Sequence, residues 1–537
     1  MNKSTISINE LIRSANNAIY NNDLKEAKFY LEKIILLDNK LPDIHNSLGL
    51  VNLKLKDFEK SIINFNTSIL LNDKNSIAFS NLGYTYEILN NKIQARDHYL
   101  KAIEIDSKNY KAYFNLGNLY RSQDKLEDAE KYYLLAIENK PNLISLYNNL
   151  FELYDRSNQH KKFENILNIA KSNFTSSPLI DFFSGIFEFR KKNYKKVVQI
   201  FENIKLDQTD YLKIAFKNNM LAKSYDFLGN YEKAFNLFET SNQNIKDIYR
   251  EKVNKNIYLD LIIKRIDFFS KQKNINWNNF SQIEQRTDPI FLVGFPRSGT
   301  TLLDTILRTH KKISVIEEKP LVDNFIYELE KKIKGNLTYL NDIDDQFYHQ
   351  LRNKYFEERN GYVKANINDF LIDKLPLNII YVAEIYRFFP NAKFIFALRN
   401  PYDVVLSCFM QPFPLNNAMA NFTNLSDATN LYNKVMELWS LYTQKLKINF
   451  HQIKYEDTVL NFENTIKELL EFLNLGWSDE LYEFYKTAQN RGLINTPSYN
   501  QVNSPLYKQA INRWKNYQNN FSDLKDTLDK WVSEFKY

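Results

Sequence analysis

Small residues punctuate the first half of the chain at a fixed interval. Ala15, Gly49, Gly83 and Gly117 lie 34 residues apart, and Gly185 keeps the phase across a position filled by Phe151. Further small residues recur within the units, Ala95 and Ala102 after Gly83, Ala129 and Ala136 after Gly117, and Pro141 closes the latter unit. Large side chains such as Leu82, Tyr84, Tyr86, Leu116, Leu119 and Tyr120 surround them. This arrangement predicts paired antiparallel helices: small residues let two backbones approach, large ones fill the seams, and a proline stops the second helix. Units around Ala15 with Ala27, at Gly49, Gly83 and Gly117, a degenerate one at Phe151 and one at Gly185 are followed by a seventh around Ala222 and Ala234, three residues late. A longer connection near residues 205–210 would account for the shift.

From residue 288 the pattern changes. Apolar runs of strand length at 290–293, 313–316, 370–376, 393–398 and 448–454 alternate with helix-length stretches at 300–307, 321–334, 377–388, 461–473 and 479–489. Strands alternating with helices predict an α/β domain around a central parallel sheet. Between the halves, 248–273 reads as one long helix and 272–288 as a polar linker. The expected organisation is therefore an all-α repeat array of about seven units at 8–247, a helical linker at 248–287, and the α/β domain at 288–537. Region 335–361 is amphipathic, with no exposed face assigned.

Composition narrows this picture. Only 11 glycines and 13 prolines in 537 residues favour long helices. A net charge of +7, spread along the chain, is no nucleic-acid signature but suits acidic small ligands. The single cysteine, Cys408, makes no internal disulfide, and six scattered histidines form no metal-ligand cluster. The opening residues lack the apolar core of a signal peptide, and no run approaches roughly 18 apolar residues, which predicts a cytoplasmic chain without a membrane span.

Candidate chemistry gathers in the second half. The first strand enters the loop Gly294-Phe295-Pro296-Arg297-Ser298-Gly299-Thr300-Thr301 and leaves as a helix. Glycines there allow tight turning, and hydroxyls and first-turn amides converge on one anion. The spacing of Gly294 and Gly299 fits a nucleotide P-loop, but Thr300 replaces its lysine, and the strand at 393–398 ends in Arg399 and Asn400 rather than an Mg²⁺ carboxylate. A phosphorylated ligand without triphosphate hydrolysis is the expectation. Glu317 and Glu318 close the second strand, where α/β sheets place ligand sites, although solvated loop charges give the same pattern. Lys374 closes the third. Asn400, Pro401 and Asp403 start a helix that sets Ser407 about two turns beyond Arg399, able to bracket one phosphate. A proline-punctuated loop at 495–505 precedes Arg513 and Trp514.

The 34-residue units resemble tetratricopeptide repeats. The loop 294–301 resembles the one with which sulfotransferases hold the 5′-phosphosulfate of 3′-phosphoadenosine-5′-phosphosulfate, and Arg399 with Ser407 resembles their 3′-phosphate site. Over roughly 288–517 the chain is similar to the tyrosylprotein sulfotransferases. That resemblance implies Glu318 as general base, Lys374, Ser498 and Arg297 on the sulfonate and leaving phosphate, and Ser298, Gly299, Thr300 and Thr301 on the 5′-phosphate. It implies Arg399, Ser407 and Arg513 as phosphate contacts, and Tyr455, Gln501 and Val502 beside the nucleotide. Gln411 departs from the family, which has an arginine there. A phenol has a pKa near roughly 10, so Glu318 is expected to be raised by burial or to take the proton as attack proceeds. The implied activity is sulfuryl transfer to a hydroxyl, with peptidyl tyrosine leading. A saccharide or small-molecule acceptor, a non-catalytic nucleotide-binding adaptor, and an unusual P-loop kinase remain alternatives. The array is expected to hold a peptide or protein in its groove or to serve as a scaffold arm; both stay open from sequence, as does the oligomeric state.

Overall fold

The computed structural model describes residues 7–273, 275, 277, 280, 287–363, 370–490, 506 and 508–537. The first half is helical throughout. Its helices pair as α1 (Ile8–Tyr20) with α2 (Leu24–Leu37), α3 (Pro42–Lys54) with α4 (Phe58–Leu71), α5 (Ser76–Ile88) with α6 (Lys92–Ile105), and α7 (Tyr110–Arg121) with α8 (Leu126–Asn139). There follow α9 (Ser145–Arg156) with α10 (His160–Asn173), α11 (Pro178–Arg190) with α12 (Tyr194–Asn203), and α13 (Tyr211–Phe227) with α14 (Tyr231–Tyr249). Aspartate or asparagine caps many of these helices, as Asp57 does for α4 and Asn109 for α7, accepting from backbone amides of the first turn.

The small residues act at the pairings. A Cβ on Gly49 would stand 2.6 Å from the Phe65 ring, one on Gly83 2.8 Å from Tyr99, and one on Gly117 2.7 Å from Tyr133. Those distances leave no room for a side chain, so glycine admits the aromatic ring of the partner helix.

The long helix expected at 248–273 is in fact divided. Helix α14 ends at Tyr249, and Asn254, extended and accepting from Asn256 N, caps a new helix α15 (Lys255–Lys271). A side chain that caps the backbone in this way starts a helix rather than continuing one.

The chain falls into two compact units, 1–183 and 184–537, with the division inside α11. The second unit therefore holds the rest of α11 and helices α12 to α15 together with the α/β part. That part contains β1 (Ile290–Gly294), α16 (Thr300–Thr309), β2 (Ile313–Glu317), α17 (Leu321–Ile333), α18 (Asp345–Tyr362), β3 (Phe370–Lys374), α19 (Val382–Phe388), β4 (Lys393–Leu398) and α20 (Pro401–Phe409). Then come α21 (Leu425–Lys445), β5 (Asn449–Lys454), α22 (Tyr455–Leu460), α23 (Phe462–Leu473), α24 (Phe484–Asn490) and α25 (Lys525–Glu534). The five strands form one parallel sheet in the order β2-β3-β1-β4-β5. Strand β1 lies at its centre and is buried along its whole length, as a strand covered on both faces must be. On one face, Leu302, Leu303, Ile306 and Leu307 of α16 pack with Ile466, Leu469 and Leu470 of α23 against Leu292, Ile372 and Ile395.

Candidate active site

The loop between β1 and α16 is built on two close approaches. A Cβ on Gly294 would lie 2.6 Å from Ala397 O of β4, and one on Gly299 would lie 2.9 Å from the ring of Tyr455. Gly299 adopts φ +92° and Arg297 φ +70°, so the chain turns through the left-handed region twice before α16 begins. No side chain caps α16 at Gly299, and Ser298, Thr300 and Thr301 are buried at its start. A helix N-terminus without a side-chain cap and with three hydroxyls beside it is a receptor for an anion.

Sheet register assembles the second group. Glu317 pairs with Lys374 between β2 and β3, and Lys374 pairs with Leu292 of β1, two residues before the loop. Register partners share a face, and Lys374 Nζ reaches Glu317 Oε1 at 3.2 Å. Glu318 should point to the other face, yet it adopts φ +48°, and its amide continues the ladder by donating to Lys374 O at 2.8 Å. That turn brings its carboxylate to the same lysine, at 2.9 Å. Lys374 is fully buried; burial presses its pKa down, but the charges of Glu318, Glu317 and Asp304 outweigh this and hold the ammonium above its ordinary value. Asp304, on α16, also holds Arg308 at 2.8 Å.

Glu318 departs from expectation in one respect. Its side chain keeps 33% of its surface exposed, so the buried carboxyl anticipated from the need to deprotonate a phenol is not what the fold builds. The residue closes a strand at the sheet's edge, and ion pairing rather than burial governs its surroundings.

A third group lies beyond β4. Arg399 is buried, donates to Arg297 O at 3.3 Å and to Ala510 O at 2.6 Å, and faces the ring of Tyr455 at 5.0 Å. Its Nε finds no acceptor among the described residues. Ser407, on α20, accepts from Arg297 Nε at 3.1 Å. The structure thus ties the Arg297 guanidinium to Ser407, whereas its expected place was with Lys374 on the sulfonate. Arg399, Ser407 and Arg513 line a common cavity of about 300 Å³. Arg513 is ion-paired with Asp226 at 2.5 Å, and Asp403 fixes its segment by accepting from Asn512 N and Trp514 N at 2.7 and 2.9 Å. Burial pushes the Asp403 carboxyl up, against the pull of Arg399 and of these amides.

Of the residues anticipated from sequence, Glu318 and Lys374 meet in one cluster. Arg297, Arg399, Ser407 and Arg513 meet in another, with Ser298, Gly299, Thr300, Thr301 and Tyr455 at the loop between β1 and α16. Ser498, Gln501 and Val502 lie outside the described residues. Gln411 follows the end of α20, where its amide donates to Cys408 O at 3.1 Å. Sequence reasoning missed Asp304 and Asp226. Asp304 sits within an ordinary helix pattern, and Asp226 pairs with a residue 287 positions away, so neither had a local signal. Among the described residues no group of three or more histidine, cysteine or carboxylate side chains could hold a metal, and no helix is long and apolar enough to cross a membrane.

Comparison with known proteins bears on both halves. Residues 289–479 match the sulfotransferase family, and residues 78–109 and 98–131 match tetratricopeptide-repeat families. The chain is 26% identical over 312 residues to an uncharacterised protein of Aquifex aeolicus (strain VF5), covering 56% of this chain and 39% of that one. It is 24% identical over 239 residues to protein-tyrosine sulfotransferase 2 of Gallus gallus, covering 42% of this chain and 62% of that one. To flavonol 4′-sulfotransferase of Flaveria chlorifolia it is 22% identical over 306 residues, covering 51% and 87%. The chain thus spans less than two thirds of the length of the first two relatives.

Proposed function

We propose that this chain, in which tetratricopeptide repeats precede a C-terminal domain of the sulfotransferase family, moves a sulfuryl group from 3′-phosphoadenosine-5′-phosphosulfate to a phenolic hydroxyl, with peptidyl tyrosine as first candidate. The observation that carries the reading is the meeting of Lys374 and Glu318 at the strand ends beside an anion-binding loop. A module that only bound a nucleotide would need the loop and the arginines, not a buried lysine held charged by three carboxylates. The donor suits the residues present: the buried Arg399 Nε has no acceptor among the described residues, and it lines a cavity with Ser407 and Arg513. Tyrosine and the 4′ position of a flavonol, named in two relatives, are both phenols.

In the reaction the acceptor oxygen attacks sulfur, the bond from sulfur to the 5′-phosphate oxygen breaks, and 3′-phosphoadenosine-5′-phosphate leaves. Charge spreads over the sulfonyl oxygens and the leaving oxygen, so positioned cations do most of the work. Lys374 would face that charge, the loop and the start of α16 would hold the 5′-phosphate, and Glu318 would take the phenolic proton as the new bond forms. Accessibility fits Glu318 for this step, since the acceptor must reach it.

Calorimetric titration of the purified chain with 3′-phosphoadenosine-5′-phosphate, beside ATP with Mg²⁺, tests the reading. Binding on the order of micromolar is expected, weakened about tenfold or more in Arg399→Ala, with feeble ATP binding and with sulfated tyrosine peptide detected by mass spectrometry once donor is supplied. Absence of bisphosphate binding would sink it.

A further inference from the structure

The last helix pair forms part of the wall of the donor cavity. Asp226 and Phe227 at the end of α13 and Tyr231 at the start of α14 line it together with Arg399, Ser407 and Arg513. The segment that carries Arg513 is fastened from α20, where Asp403 accepts from Asn512 N and Trp514 N at 2.7 and 2.9 Å and the Tyr402 ring stacks on Trp514 at 4.2 Å. Ala510 O of the same segment accepts from Arg399 at 2.6 Å. These contacts fix the backbone around Arg513 and leave its long side chain to be placed by something else.

Asp226 places it. The carboxylate accepts from Arg513 Nη2 at 2.5 Å and from Nε at 3.4 Å, a two-point fork that sets the plane of the guanidinium. It also accepts from Tyr517 Oη at 2.5 Å, and the Tyr517 ring lies edge-on to Tyr231 of α14 at 5.5 Å. Asp226 is buried, so desolvation offsets much of what the pair returns in stability. What the pair supplies is geometry. Arg513 stands at the cavity wall before a ligand arrives, and a cation ordered in advance gives up little rotamer freedom on binding.

Resting on the donor assignment above, we propose that Asp226 is a positioning residue of the donor site: from the last repeat helix pair it holds the Arg513 guanidinium ready for the 3′-phosphate that Arg399 and Ser407 receive. The carboxylate itself takes no part in binding the anion; it acts through Arg513.

The full-length chain, Asp226→Asn, Arg513→Ala, the double variant and Tyr517→Phe would each be titrated with 3′-phosphoadenosine-5′-phosphate and with adenosine 5′-phosphate, which lacks the 3′ group, and melted without ligand. Asp226→Asn keeps the shape of the side chain and removes its charge; it is expected to weaken the bisphosphate about tenfold and the monophosphate by less than about twofold. Arg513→Ala should weaken the bisphosphate at least as much, and adding Asp226→Asn to it should bring no further loss. Tyr517→Phe removes the other bond to Asp226 and should lower the melting temperature while leaving bisphosphate affinity within about twofold of wild type. Unchanged bisphosphate binding in Asp226→Asn or in Arg513→Ala would overturn the inference, and so would tighter binding in Asp226→Asn, which would show the carboxylate competing with the phosphate for Arg513. Losses that multiply in the double variant, an equal loss in Tyr517→Phe, or an Asp226→Asn chain that does not fold would assign Asp226 to the fold alone and overturn it as well. Each of these results leaves the donor assignment standing, whereas failure of the wild-type chain to bind the bisphosphate would remove both.

Discussion

Lys374 and Glu318 show how far single residues could be read in advance. A lysine and a carboxylate at strand ends of an α/β domain are visible in sequence as separate candidates. Their meeting depends on the β2 to β3 register and on the left-handed turn at Glu318, neither of which the sequence prints. The second carboxylate, Glu317, keeps Lys374 paired when Glu318 is altered. Glu318→Gln should therefore leave the melting temperature and bisphosphate affinity close to wild type while lowering turnover by about 10²- to 10⁴-fold, the range for loss of a positioned general base. Steady-state rates with a tyrosine peptide, read beside calorimetry, check this; unchanged turnover would take Glu318 out of the mechanism. Lys374→Met is different in kind. It strands Glu317 and Glu318 without their cation, and breaking a buried pair of this sort costs about 3–5 kcal/mol, so its expected readout is lost stability before lost chemistry.

At the scale of elements the repeats were the most legible part of the chain, because their packing rule recurs in sequence. The residue sixteen positions after each small residue fills the space it leaves: Phe65 after Gly49, Tyr99 after Gly83, Tyr133 after Gly117, Phe201 after Gly185. Where the first position grows, the second shrinks: Ala15 is followed at that distance by Leu31, and Phe151 by Leu167. What looked degenerate at Phe151 is thus a trade of volume between the two helices, with Phe151 stacked on Phe183 at 4.4 Å. This gives a test in the second repeat. Gly49→Ala drives a methyl into the Phe65 ring and should cost about 1–3 kcal/mol. Adding Phe65→Leu recreates the Ala15 and Leu31 pair, so the double variant should be more stable than the two single costs predict, by a coupling of about 1 kcal/mol. Urea unfolding followed by circular dichroism measures all three chains, and additive costs would refute the volume trade. Helix boundaries were less legible: the division at 250–254 rests on an asparagine cap inside an otherwise helical pattern.

For the whole molecule, sequence periodicity draws its boundary where the repeats stop, near residue 247, whereas the compact unit begins at Ser184. The difference comes from contacts between distant positions. Asn219 of α13 and Asn242 of α14 donate to the carbonyls of Met410 and Phe409, both at 2.9 Å, and so satisfy the C-terminal end of α20, the helix that bears Ser407. Phe235 stacks on Phe409 at 5.0 Å. Arg265 of α15 forms a buried ion pair with Glu384 of α19 at 2.6 Å. These partners are between 119 and 191 positions apart, too far for any local pattern to announce them. Two truncations separate the boundaries. A chain starting at Pro178 retains the whole second unit and should bind 3′-phosphoadenosine-5′-phosphate within about threefold of the full chain, since no described donor-site residue is removed. A chain starting at residue 248 keeps every residue that matches the sulfotransferase family, yet it loses the two asparagine caps, uncovers Phe409 and removes Asp226. It should aggregate or bind the bisphosphate at least about tenfold more weakly, because an uncapped helix end and a bared aromatic disturb the helix that presents Ser407. Full binding by the shorter chain would place the boundary where the repeats end and make the last pair dispensable to the site.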